Sequence, residues 1–223
     1  MLAPNLHQHL GWMADLETLA TANSAVVPEI SLVAFEIDTG KIVHEMTLHL
    51  SVDEQLQAGR TVSSGTLGFW LTQTQEARDK LLLAMDDYQN QTIGKLPWGV
   101  NEALTHIRDT VRMITYQWEI QNKHKIDRDI DESGPRPLIY GNGARFDCGK
   151  VADLYERANR ENDYPWGYSG DRDIRTLHSL APSFKGQEEF EGIPHFGLDD
   201  CKHQIKYTHK IYNAILEASA LQS

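Results

Sequence analysis

LGWMADLETLAT, residues 10–21, is an apolar run interrupted by two acids placed two positions apart, Asp15 and Glu17. The segment from Leu10 to Leu16 has the length and composition of a strand. Strand side chains alternate between faces, so the two carboxylates project to the same side, where one cation can touch both. Further along, Ile30–Ile37 and Ile42–Leu50 are two more apolar runs, joined by the turn residues Asp38-Thr39-Gly40. The first third of the chain therefore reads as an antiparallel hairpin with one adjacent strand.

From Ser64 the pattern changes to helix, through Thr66, Leu67, Phe69, Trp70 and Leu71 and on to Leu81–Leu83. The longest periodic segment follows: Val100, Leu104, Ile107, Val111, Ile114 and Trp118 recur at steps of four and three, which is one buried helical stripe. Pro97 and Asn101 suit the region of its first turn. Residues 122–136, NKHKIDRDIDESGPR, are charged and broken by Gly and Pro, so they read as an exposed loop. Pro137–Gly141 returns to strand and ends at Gly-Asn-Gly. Helices are then expected from Asp147 to about Asn159, from Asp173 to Leu180, and from about Leu198 onward, the last with Cys201, Ile205, Thr208, Tyr212 and Ile215 as its inner stripe. Strands, then helices, then a strand followed by helices is an α/β arrangement: a mixed central sheet flanked by helices. At 223 residues the chain is expected to be a single domain spanning 1–223.

Three segments carry the chemistry. Asp15 and Glu17 lie on a strand, Asp147 closes YGNGARFD just beyond a strand end, and HFGLDD places His195 and Asp200 at the start of the last helix. Four carboxylates drawn together repel one another unless cations sit among them, so the set implies a divalent-metal site. Hard oxygen ligands favour Mg²⁺ or Mn²⁺. In two-metal phosphoryl chemistry the ions lie about 3.5–4 Å apart, one activating water and the other stabilising the leaving oxygen. Asp15 would bridge them, Glu17 and Asp200 would complete one shell, and Asp147 would hold the second ion. His195, with a reference pKa of about 6.5, suits proton removal from the attacking water. Asp199 is a rival for the role of Asp200, since both fall at a helix N-terminus.

These segments resemble the three motifs of the DEDDh branch of DnaQ-like 3′-5′ exonucleases: DLET at Asp15–Thr18, NGARFD at Asn142–Asp147, and His195 five residues before Asp200. GTLGFWLTQTQEAR (65–78), DRDIRTL (171–177) and HFGLDDCKHQI (195–205) are similar to the exonuclease A type of T-even bacteriophages. The resemblance implies an RNase H-like fold and two Mg²⁺ or Mn²⁺ ions per site. It also implies stepwise hydrolysis from a 3′ end to nucleoside 5′-monophosphates. The family usually has Ala two residues after the His, where this chain has Gly197.

DNA, as a single-stranded 3′ end, is the first expectation for the substrate. Short RNA is the alternative, because the same motifs serve both polymers. A non-catalytic module engaging a host protein is a third reading, motivated by the formal charge of −11 from 21 Lys+Arg and 32 Asp+Glu. That charge excludes a broad basic nucleic-acid face. Trp70, with Phe69, could stack on a terminal base or pack in the core. Asn142 and Arg145 are placed at the substrate by their motif, Arg172 and Arg175 could contact phosphate or pair with Asp171 and Asp173, and Thr18 would lie near the terminal sugar. His203 and His209 are six apart, so no zinc site is assigned. Cys148 and Cys201 lack any metal-ligand pattern and suit a reducing, cytoplasmic setting as buried helix-face residues. The N-terminus lacks a secretory pattern and no apolar run is long enough to span a bilayer.

Overall fold

The computed structural model describes residues 8–88, 96–130, 134–184 and 188–220. Its sheet has the order β3-β2-β1-β4-β5. The strands are β1 (Leu10–Glu17), β2 (Glu29–Glu36), β3 (Ile42–His49), β4 (Leu138–Gly141) and β5 (Asp171–Asp173). The first three pair antiparallel, and β4 and β5 continue parallel to β1, so the sheet is mixed as expected. The three-residue β5 was not foreseen: a segment so short and polar carries no period of two.

Alternation along β1 sorts the two layers. Trp12, Ala14 and Leu16 face one core, shared with helix α4 (Val100–Gln121) and helix α5 (Asp147–Arg157). Met13 faces the other core, shared with α6 (Ile174–Leu180) and α7 (Gly197–Ala220). Asp15 and Glu17 have the parity of Met13 and so lie on the side where α7 packs. The sheet thus delivers the two acids to one helix.

Helix α4 follows the stripe read from sequence: Leu104, Ile107, Val111 and Trp118 are buried. Burying such side chains stabilises by about 1.5–3 kcal/mol each, which outweighs any local propensity. Two buried hydrogen bonds fix its place: Trp12 Nε1 donates to Thr115 Oγ1 at 3.1 Å, and Tyr155 Oη donates to the Leu104 carbonyl at 2.8 Å. Gly99 gives its N-terminus no side-chain cap, and Glu54 supplies one by accepting from the Val100 N–H. Glu54 belongs to α1 (Val52–Gln57), a short helix that sequence did not show. The helix expected from Ser64 is two, α2 (Ser64–Leu71) and α3 (Gln75–Leu82), because Thr74 restarts the chain as an N-cap that accepts from Ala77.

The charged segment after α4 contains a short 3-10 helix, Lys123–Lys125, and its described residues are not wholly exposed. Ile130 is buried, and the fully buried Glu119 forms an ion pair with Arg128 and accepts a hydrogen bond from the Arg136 backbone N–H. Residues 131–133 of that segment lie outside the described residues. Cys148 and Cys201 are both buried and unbridged, and they belong to opposite cores. Among the described residues, no helix is long and apolar enough to cross a membrane.

Helix α7 approaches β2 at a glycine. A Cβ on Gly197 would meet Ser31 Cβ at 2.6 Å and Glu29 Oε1 at 2.9 Å. This gives the departure from the usual alanine a physical reason, since Ser31 Cβ cannot yield without moving the strand. Gly197→Ala is expected to destabilise by about 1–3 kcal/mol, as overpacking does. Urea unfolding monitored by circular dichroism measures it, and an unchanged midpoint would refute the contact.

Candidate active site

Asp15, Glu17 and Asp200 each offer a carboxylate oxygen within 4.8 Å of the others. All three line a cleft of about 700 Å³ together with Asp147 and His195, so the five groups separated in sequence share one cavity. The strand end brings Asp15 and Glu17, and the first turn of α7 brings Asp200. Asp147 opens α5. Its carboxylate accepts from the backbone N–H groups of Asn142 and Leu16.

Crowding and burial show in the protonation of these groups. Burial raises Asp15 well above the ordinary carboxylate range, and Asp147 and Asp200 push it further, against one stabilising hydrogen bond from Gln204 Nε2 at 3.1 Å. Glu17 is raised well above its ordinary value by burial and then by Asp15 and Glu29. Asp200 is raised by burial, opposed by the His195 backbone N–H and the His195 charge. Burial pushes Asp147 up to about 7, with Lys150 opposing most strongly. Asp200 Oδ2 is buried and has no hydrogen-bond partner among the described residues. An orphaned carboxylate oxygen amid acids that resist ionisation fits a hard divalent cation, which would satisfy the oxygen and relieve the repulsion.

His195 sits in the left-handed region, φ 64°, at the turn into α7. Its ring packs edge-on against Phe69 at 5.3 Å and against Trp70 at 6.3 Å. The two aromatics divide the roles weighed from sequence. Trp70 is buried, and its Nε1 donates to the Thr18 carbonyl at 3.0 Å, so it ties the end of β1 to α2 while its edge reaches the cleft. Phe69, also lining the cleft, is 43 % exposed and packs against Trp70 and His195.

Asp199 and Asp200 are likewise distinguished: Asp199 accepts from the Ile193 N–H at 3.0 Å and braces the preceding loop, leaving Asp200 to the cleft. Thr18 and Asn142 line the cleft. Arg145 does not; it lines an adjoining depression. Arg175, for which pairing with Asp171 or Asp173 was the simpler expectation, instead lines the cleft and donates from Nε to Asn142 Oδ1 at 3.2 Å, while its backbone N–H bonds Asp173. Arg172 turns away to the carbonyls of Ser169 and Asp171.

Three supporting residues were missed. Gln204 stands four positions after Asp200, a spacing that puts both on one helix face and was readable. Glu29 is buried opposite Glu17 in the β1–β2 register and accepts from Ser31 Oγ at 3.0 Å. Lys150 is fully buried, with Nζ donating to the Thr21 carbonyl at 3.2 Å and lying 3.2 Å from the Phe146 ring centroid. A buried Glu or Lys has no sequence signature, because such residues are ordinarily exposed.

Residues 11–212 match the family described as the 3′-5′ exoribonuclease Rv2179c-like domain, and the chain belongs to that family. It is a 3′-5′ exonuclease. A comparison with curated proteins found no match. The fold is similar to the nuclease domain of 3′hExo, a DEDDh family member, bound to rAMP, with TM-score 0.52, 12% identity, and 92% of each chain covered. It is also similar to E. coli exonuclease I in complex with a dT13 oligonucleotide, with TM-score 0.54 and 12% identity, covering 91% of this chain and 41% of that one. A third similar structure, of a 3′-exonuclease recognising a histone mRNA stem-loop, gives 0.51 and 10% over 92% and 82%. At such identities the likeness carries the RNase H-like, DnaQ-like fold. The superfamily expected from the motifs is thereby borne out, whereas the narrower likeness to phage exonuclease A is not what the family match names.

The raised carboxyls set a pH dependence. A group whose folded pKa lies above its unfolded value stabilises the fold while protonated. For Asp147 that contribution is complete below its ordinary 3.8 and is lost as pH rises to about 7. The metal-free protein should therefore lose stability over that window. Divalent cations, which displace the protons, should bind at least tenfold more tightly per pH unit up to about pH 7. Calorimetric titration with Mn²⁺ at several pH values checks this, and a pH-independent affinity would count against it.

Proposed function

We propose that this exonuclease removes nucleoside 5′-monophosphates from the 3′ end of single-stranded RNA, with Asp15, Glu17, Asp147 and Asp200 holding two Mg²⁺ or Mn²⁺ ions and His195 as general base. The observation that carries the reading is the meeting of three carboxylates within 4.8 Å on the floor of a cleft that also holds His195 and an exposed aromatic ring. RNA is preferred to DNA, the first expectation from sequence, on two grounds. The matching family is described as exoribonuclease. The cleft lining also contains the hydroxyl residues Thr18, Thr21, Ser63 and Thr66, which offer donors and acceptors to a ribose 2′-OH.

When bound, the cations supply positive charge to the phosphate and lower the pKa of a coordinated water. The chain supplies the rest. Gln204 fixes the Asp15 carboxylate by its hydrogen bond, and the His195 backbone does the same for Asp200. His195 accepts a proton from the water whose oxygen forms the new bond to phosphorus, the P–O3′ bond of the terminal linkage breaks, and the departing 3′ oxygen takes up a proton from solvent. Trp70 keeps the imidazole and Thr18 in register, since it touches both. Phe69 stacks on the terminal base, a contact worth about 1–3 kcal/mol. The left-handed backbone at His195 directs its ring to the cleft wall at the cost of local strain, a cost common at functional positions.

Matched 5′-labelled RNA and DNA oligonucleotides, incubated with Mn²⁺, test the substrate. RNA is expected to shorten stepwise at the greater kcat/KM, and faster shortening of DNA would reverse the assignment. His195→Asn should lower kcat by about 10²–10⁴-fold. Its Mn²⁺ affinity should stay within about twofold of wild type, because a general base acts on the proton and not on the ion. Loss of metal binding with turnover would instead make His195 a ligand.

A further inference from the structure

The catalytic cleft adjoins a second depression of about 520 Å³, and the two share Thr21, Phe146 and Arg175 in their walls. Their electrostatics are opposite. The cleft is lined by four carboxylates, whereas the depression has Arg145 and Arg175 and no acid in its lining. In a chain of net charge −11, a concave surface carrying two guanidinium groups and no carboxylate is a local reversal of sign. We propose that this depression binds the next phosphate of the substrate, the one on the 5′ side of the nucleotide that precedes the scissile bond. The proposal rests on reading the cleft as the site of hydrolysis.

Three features make the depression a formed site. Arg145 is exposed and its guanidinium has no hydrogen bond or ion pair among the described residues, so its donors are available to a phosphate. Arg175 is held by its Nε bond to Asn142 and lies over Gly143, where a Cβ would come 3.4 Å from its Cζ. The backbone there has φ +106°, so glycine serves both the turn and the close approach. Phe146, between the two concavities, is backed by the buried Lys150 ammonium against its ring. A ring braced in this way is a fixed edge over which a strand can bend. The strand upstream of the terminal nucleotide has to leave the cleft, and the rim at Phe146 and Arg175 is where the lining changes from negative to positive.

The proposal separates substrates by one phosphate. A dinucleotide with a 5′-hydroxyl lacks the contact, while the same dinucleotide with a 5′-phosphate, or a trinucleotide, has it. The p-nitrophenyl ester of uridine 5′-monophosphate lacks the upstream nucleotide altogether. For the wild type, kcat/KM should rise about tenfold from the 5′-hydroxyl dinucleotide to its 5′-phosphorylated form. In Arg145→Glu that rise should disappear, and the ratio of trinucleotide to ester cleavage should fall by at least tenfold. Arg145→Lys should keep part of both. Anisotropy of a labelled trinucleotide, with Ca²⁺ as the added cation, reads the same contact without turnover, and its log affinity against log salt should flatten by about 0.7 in Arg145→Glu. Equal losses on ester and trinucleotide, or no loss on the trinucleotide, would overturn the proposal while leaving the nuclease reading intact. Failure of the wild type to cleave any of these substrates would remove the nuclease reading, and the anisotropy comparison would still decide whether Arg145 binds the strand.

Discussion

The burial of carboxylates, with mutual repulsion added at Asp15 and Glu17, is the constraint around which this protein is built. Asp15, Glu17, Asp147 and Asp200 are each raised in pKa with burial as the largest cause, and neighbouring acids add to it at Asp15 and Glu17. The surroundings offset this only in part. One amide bonds Asp15, backbone N–H groups bond Asp147 and Asp200, and the Lys150 charge stands behind Asp147. On the proposed reading the remaining imbalance drives the uptake of cations, so a site that costs stability when empty binds them more strongly for that reason.

The supporting architecture keeps the acids from relaxing apart. Met13 and Leu16 lie in opposite cores, which pins the twist of β1 on both sides of Asp15. Gly197 lets α7 sit directly on β2, and Cys201 donates to the Met13 carbonyl one residue pair away from the acids. Trp70 anchors the far side of the cleft to the Thr18 carbonyl. Close packing converts what would be a flexible acidic patch into fixed carboxylate positions.

The frame was legible where periodicity was strong. The apolar runs of β1–β3 and the stripe of α4 announce themselves, since each buries a face with a regular repeat. The five central site residues were legible because their spacing resembles a known motif order, and the cleft brings all five together. What escaped had no repeat to show. Strand β5 is three polar residues long, and α1 is six residues whose importance lies in capping another helix through Glu54. Glu29 and Lys150 look like surface residues in sequence and are buried only because strand register and helix docking place them there. Arg175 lines the cleft and Arg145 the adjoining depression, a difference set by where β5 hands over to α6 and not by distance along the chain.

The site draws on the first strand and the last helix, 185 positions apart between Asp15 and Asp200, with Asp147 on a third element. The acids therefore meet only once strands and helices distant along the chain have packed together. Partly unravelled copies that lose the helix carrying Asp200 lose one of the three clustered carboxylates with it. For an exonuclease, distributing the candidate site across the chain makes native structure a licence for hydrolysis.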